Sequence, residues 1–167
     1  MDAETRFRLM FDRTNDAVRR YALNRGMTAA DAEDLVAEVF TLAWRRLERI
    51  PADDPIPWLF AAARNHWRNH LRSRRREREA VVRLRPAEEG GPSSDPSAHL
   101  LRSALATLSE ADQEVLRLVA WDDLAPRQVA AVLGCSPGAA RVRLHRARQR
   151  LATALRSNEL EEVSDGR

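Results

Sequence analysis

The sequence is short of the groups that most enzymes and exported proteins depend on. It has one cysteine, Cys135, so neither an internal disulfide nor a Cys-rich zinc site can form. It has no lysine; all 28 of its basic residues are arginine. No apolar run approaches the ~18 residues of a membrane span. The charged start MDAETRFRLMFD lacks the apolar core of a signal peptide, so a cytoplasmic protein is expected, with no membrane insertion. A net charge of +3 excludes a simple polybasic coat for nucleic acid. No nucleophile–base set and no phosphate-binding glycine loop is present, so no enzyme and no cofactor are expected. His66 and His70 are spaced to share a metal on one helix face, but no third ligand accompanies them, and no metal is expected.

Helical periodicity dominates what remains. With 167 residues the chain suits one domain or two small ones, and the pattern predicts an all-α protein. Residues 5–25 carry Phe7, Met10, Phe11, Val18, Tyr21 and Ala22 on one stripe, ended by Gly26. Thr28 is placed to cap a second helix reaching about Glu48. Its apolar face holds Ala32, Leu35, Val36, Val39, Phe40, Ala43, Trp44 and Leu47, and Asp31, Asp34, Glu38 and Arg45 lie opposite. Residues 50–57 contain three prolines and read as a stiff loop. A third helix starts near Trp58 and passes Leu71. Trp58 and Trp67 alternate there with Arg64, Asn65, Arg68, Asn69 and Arg72. Such interleaving suits unstacked bases and their phosphates, although both tryptophans also read as core anchors.

Charge is segregated along the chain. Residues 64–85 hold nine Arg and two Glu, whereas residues 27–57 hold three Arg and seven acids. The first stretch suits nucleic acid; the second would repel it and suits a basic protein. Residues 86–96 are rich in Pro, Gly and Ser and read as a flexible linker. It separates a domain over 1–85 from one over 97–156, with a polar tail over 157–167. In the second domain Ser109 is a candidate N-cap, Asp122-Asp123 breaks a helix, and Pro126 opens the next. Gly134 then ends that helix in a left-handed turn, Ser136 caps another and Pro137 takes its first position. Ala140, Leu144, Ala147 and Leu151 share its inward face, and no acid occurs from Ser136 to Arg156. This is a helix-turn-helix whose second helix suits the major groove. Ser136, Gly138, Ala139, Arg141 and Val142 are placed to reach base edges, and Arg143 and Arg146 to reach phosphates.

Taken together, these blocks resemble the extracytoplasmic-function sigma factors of bacterial RNA polymerase. The segment from Asp31 to Arg45 resembles the family's core-binding helix. Trp58 to Asn65, with Leu71-Arg72 and the arginine run behind it, resembles the promoter-melting helix. Leu108 to Leu118, Leu133 to Ser136 and Arg143 to Arg148 resemble the C-terminal domain. The resemblance implies that Asp31, Asp34, Leu35, Glu38 and Trp44 meet the clamp helices of the largest polymerase subunit. It implies that Trp58, Arg64, Asn65, Trp67, Arg68, Arg72, Arg74, Arg75 and Arg76 bind the −10 DNA, with Asn65 and the proline loop holding a flipped base. The second domain would read the −35 element beside the polymerase flap. An anti-sigma factor is the family's usual regulator. Ala37 stands where the family often has Gln, Asn69 where it has Asp, Ala125 where a Ser or Thr cap is common, and Ala139 where Thr is common.

Binding carried by arginines displaces counterions. Affinity of the full chain for promoter DNA is therefore expected to fall steeply between about 50 and about 200 mM salt, as a fluorescence-anisotropy titration would measure. A flat response would contradict the cationic reading of these helices.

Overall fold

The computed structural model describes the backbone over residues 2–81 and 96–165 and the side chains over 2–73 and 97–158. All regular structure among the described residues is helical. The linker predicted over 86–96 lies outside them except for Pro96. Contacts divide the chain into two units.

In the first unit, Asp2 starts helix α1 (Ala3–Leu23) by accepting the Thr5 amide at 2.7 Å. This bond holds the Asp2 carboxyl below the usual carboxylate range. Beyond α1 the chain turns through a Schellman motif. Gly26, at φ +78°, donates to the Leu23 carbonyl at 3.0 Å, and the Met27 amide reaches the Ala22 carbonyl at 3.3 Å. Thr28 caps α2 (Ala29–Arg45), its hydroxyl accepting the Asp31 amide at 3.1 Å. The apolar stripe predicts one helix to about Glu48, but Arg46 leaves the helical region at φ −127° and a 3₁₀ turn over Leu47–Arg49 follows. Helix α3 (Ile56–Val81) begins two residues ahead of the predicted start. The Pro55 carbonyl accepts the Leu59 amide at 3.0 Å, leaving Pro57 in the first turn, where its missing N–H costs no bond.

Helices α1, α2 and α3 pack pairwise. Ala32, Leu35, Val36, Val39, Phe40 and Ala43 of α2 are all buried, together with Val18, Tyr21, Leu59, Phe60 and Ala63 from its neighbours. Each fully buried Leu, Val or Phe contributes about 1.5–3 kcal/mol. The packing of this face, more than helix propensity, therefore holds α2 in place. Phe11 meets Phe40 edge-on at 4.7 Å between centroids, and the Arg25 guanidinium lies 3.4 Å over the Tyr21 ring. At the surface Arg19 bridges to Glu33 at 2.6 Å. Hydrogen bonding and charge from Arg19 hold the Glu33 carboxyl below its usual range, but both groups are solvated and the bridge adds little stability.

Helices α4 (Pro96–Ala106), α5 (Glu110–Ala120) and α7 (Pro137–Asp165), with most of α6 (Pro126–Leu133), form the second unit. Ser109 caps α5 as predicted, accepting the Asp112 amide at 3.2 Å. Asp123, at φ +52°, turns the chain out of α5 toward α6. Helix α7 packs on α4 and α5. It does not end near Arg156 but continues to Asp165 through the polar tail, because no Gly or Pro occurs from Ala139 to Asp165 to stop it. Arg150 of α7 reaches the largely buried Asp112 carboxylate of α5 at 2.7 Å. Asp112 thereby serves both the α5 cap and the α5–α7 seam, since it also accepts the Ser109 hydroxyl at 2.9 Å.

Asp112→Ala is expected to cost about 1–2 kcal/mol and Arg150→Ala less, its head being mostly exposed. Native-state hydrogen exchange of the α5 amides checks this, and equal protection in both variants and the parent would refute the double role of Asp112.

Candidate functional site

Three helix faces carry the contact residues expected from the sequence. The first is built at the α6–α7 turn. The Ser or Thr cap common in the family is missing at Ala125; Gln128 accepts the Ala125 amide at 2.9 Å, the reverse half of a capping box. A second Schellman motif ends α6. Gly134, at φ +65°, donates to the Ala131 carbonyl at 3.3 Å, and the Cys135 amide reaches the Ala130 carbonyl at 3.0 Å. Ser136 Oγ then accepts the Ala139 amide at 3.2 Å and starts α7. Ser136 is thus first a cap, with its hydroxyl hydrogen and one lone pair left over.

This turn sets the rotation of α7. Ala140 and Ala147 are buried, Leu144 is half-buried, and Arg141, Arg143, His145 and Arg146 are exposed. Val142 is 48% exposed. Gly138 is exposed with open space about it, and Ala139 is half-buried. Cys135 is a free thiol, half-buried in the turn.

The second face is the acidic side of α2. Asp34 and Glu38 are exposed and Asp31 is half-buried. Leu35 does not join them: at 3% exposure it belongs to the core, because it points along the α2 stripe that packs on α1 and α3. Trp44 is 50% exposed, with Phe7 set edge-on to it at 5.2 Å.

The third face is α3. Asn65 and Arg72 are exposed, and Trp58, Arg64 and Arg68 are half-buried. Trp67 is only 3% exposed; of its two readings, core anchor and base-stacking platform, the structure supports the first. The side chains of Arg74, Arg75 and Arg76 lie outside the described residues, although their backbone is helical. Periodicity did not reveal that α3 also touches the acidic face. His66 Nδ1 lies 2.5 Å from Glu38 Oε2, and His70 Nε2 lies 3.9 Å from Asp31 Oδ2, beyond hydrogen-bond length. A cleft of about 390 Å³ between α2 and α3 is lined by Asp31, Asp34, Glu38, His66, Asn69 and His70 among others. His66 and Glu38 are 28 positions apart, so only the packing of α2 on α3 brings them together. Among the described residues no group of three or more His, Cys, Asp or Glu is arranged to hold a metal, and no helix is long and apolar enough to cross a membrane.

Comparison with known proteins identifies the family of both units. Residues 10–77 match the family model for sigma-70 region 2, and residues 98–151 match that for sigma-70 region 4. The chain is 33% identical to the RNA polymerase sigma factor CarQ of Myxococcus xanthus, over 95% of this chain and 94% of that one. It is 30% identical to the ECF RNA polymerase sigma factor EcfG of Rhodopseudomonas palustris, over 83% and 79% of the two chains. Among solved structures it is similar to the sigma factor RpoE of Bartonella quintana, crystallised with the anti-sigma factor NepR. That likeness has a TM-score of 0.66 and 25% identity, over 90% of this chain and 96% of that one. The two family models and these relatives show that the protein belongs to the sigma-70 family as an extracytoplasmic-function RNA polymerase sigma factor.

Proposed function

We propose that this sigma factor holds core polymerase with the acidic face of α2 and reads its promoter with α3 and α7. The supporting observation is the way burial sorts charge. The core takes Leu35, Val39 and Ala43 of α2 and turns Asp34 and Glu38 to solvent, while Ala140 and Ala147 of α7 go inward and Arg141, Arg143 and Arg146 outward. Carboxylates on α2 repel phosphates and attract a basic protein surface; the arginines of α7 do the reverse.

In this reading α7 lies in the major groove of the −35 element. Arg141 and Val142 touch base edges, and Arg143 and Arg146 fix register on phosphates. Asn65, Trp58, Arg64, Arg68 and Arg72 of α3, with the arginine run behind them, hold the opened −10 strand. Extruding a base costs a few kcal/mol, and cationic contacts with the displaced strand offset it. Polymerase makes the phosphodiester bonds, so the sigma factor supplies position rather than catalysis, and it works in the cytoplasm. An anti-sigma factor completes the proposal as the regulator of this chain, the Bartonella sigma factor having been crystallised with one.

Run-off transcription with purified core polymerase on a library of genomic promoters tests this. Transcripts are expected only when the protein is present. Asp34→Arg with Glu38→Arg is expected to lower core affinity about tenfold or more while leaving the affinity of the same full chain for −35 duplex intact. Loss of both, or of neither, would contradict the assignment.

A further inference from the structure

Two of the four histidines of the chain, His66 and His70, stand one turn apart on α3 and line the cleft opposite the acids of α2. The other two, His99 and His145, are exposed in the second unit. Arg8 with Glu4 and Arg19 with Glu33 show the alternative way of pairing an acid in the first unit, with a cation whose charge is permanent. A permanent cation beside Glu38 would cancel the charge that a basic partner seeks. An imidazole cancels it only when protonated, and histidine is the side chain whose charge changes between about pH 5 and about 8.

We infer that His66, with His70 behind it, sets the strength of the acidic face: neutral rings leave the carboxylates to core polymerase, and protonated rings weaken its hold. The inference rests on the reading that α2 docks on core polymerase. His66 is a positioning residue that acts through Glu38. Its Nδ1 lies 2.5 Å from Glu38 Oε2, so the carboxylate keeps a proton on Nδ1 in either charge state, and the ring gains or loses its charge at Nε2. The Nε2 atom of His70 is buried with no hydrogen-bond partner among the described residues and lies 3.9 Å from Asp31 Oδ2. A proton there draws ring and carboxylate together. The charged groups around the two rings are Asp31, Asp34 and Glu38 of α2. Glu33 of the same helix is turned to Arg19, and among the described residues neither α1 nor the arginines of α3 line the cleft. Three carboxylates thus face two neutral rings in one state and two cations in the other. A basic surface docking on Glu38 competes with the proton on the ring. Binding therefore releases protons, and by the reciprocity of linked equilibria affinity rises with pH.

The test measures the affinity of the full chain for core polymerase between about pH 6 and about pH 8. Parent and variant are compared at each pH, so that titration of the polymerase itself cancels. In His66→Asn with His70→Asn the amide at position 66 still donates where Nδ1 does but takes no charge. The affinity of the parent relative to this variant is expected to rise about threefold or more from the lower pH to the upper. Each single variant is expected to give part of the effect, His66→Asn the larger part, with the helical circular dichroism of all of them unchanged. His99→Asn removes an imidazole away from the cleft and is expected to follow the parent at every pH. A relative affinity that stays constant with pH, or falls, overturns the inference. If it stays constant while Asp34→Arg with Glu38→Arg still weakens core binding, the inference alone fails and the polymerase reading stands. If Asp34→Arg with Glu38→Arg binds core normally, the polymerase reading of α2 fails and the inference with it.

Discussion

The division of α2 into a buried stripe and an acidic side governs what the first unit presents to solvent. Six of its residues go into the core, and helical geometry then leaves Asp34 and Glu38 no position but the surface. Turning the helix by one residue would bring carboxylates toward Val18 and Leu59, and burying an unpaired carboxylate costs far more than the packing could return. Folding and charge display are therefore one event. The helix that packs best is the helix that presents its acids, and the same packing lays His66 of α3 against Glu38.

The second unit solves a different problem. Its working helix is strongly cationic and would gain little from folding alone, so its orientation comes from its ends and seams. The Schellman motif at Gly134 and the Ser136 cap set where α7 starts, and Arg150 on Asp112 holds its middle to α5. The exposed residues near its start include Gly138, which has no side chain, and Val142 as well as Arg141, a modest set for reading a sequence unaided. That set makes sense if the helix is one of several contacts joined through one chain and one polymerase. Tethering then raises the effective concentration of each contact without adding any new one.

How much of this was legible in the sequence followed the range of the interactions. Caps and turns are local, so Thr28, Gly26, Ser109, Gly134, Ser136 and Pro137 could be placed from their neighbours, and the structure puts each in the expected role. The charge division was visible for the same reason. The motifs offer Leu35 as a polymerase contact and leave Trp67 open between core anchor and base platform, but both are core side chains; a motif does not say which of its members packing consumes. His66 with Glu38, and Arg150 with Asp112, join residues far apart in sequence, and no periodicity signals such pairs. The polar composition of residues 157–167 suggests a frayed tail, but helix formers without a stop signal continue, and α7 runs to Asp165.

Site-specific photocrosslinking in the complete promoter complex tests the central claim most directly. A short-range photoreactive side chain is placed in turn at Glu38 on α2, at Asn65 on α3 and at Val142 on α7. Position 38 is expected to capture only polymerase protein, position 65 the opened −10 strand and position 142 the −35 duplex. Capture of DNA at position 38, or of protein alone at positions 65 and 142, would contradict the claim that burial of one face of α2 and one face of α7 sorts polymerase from promoter.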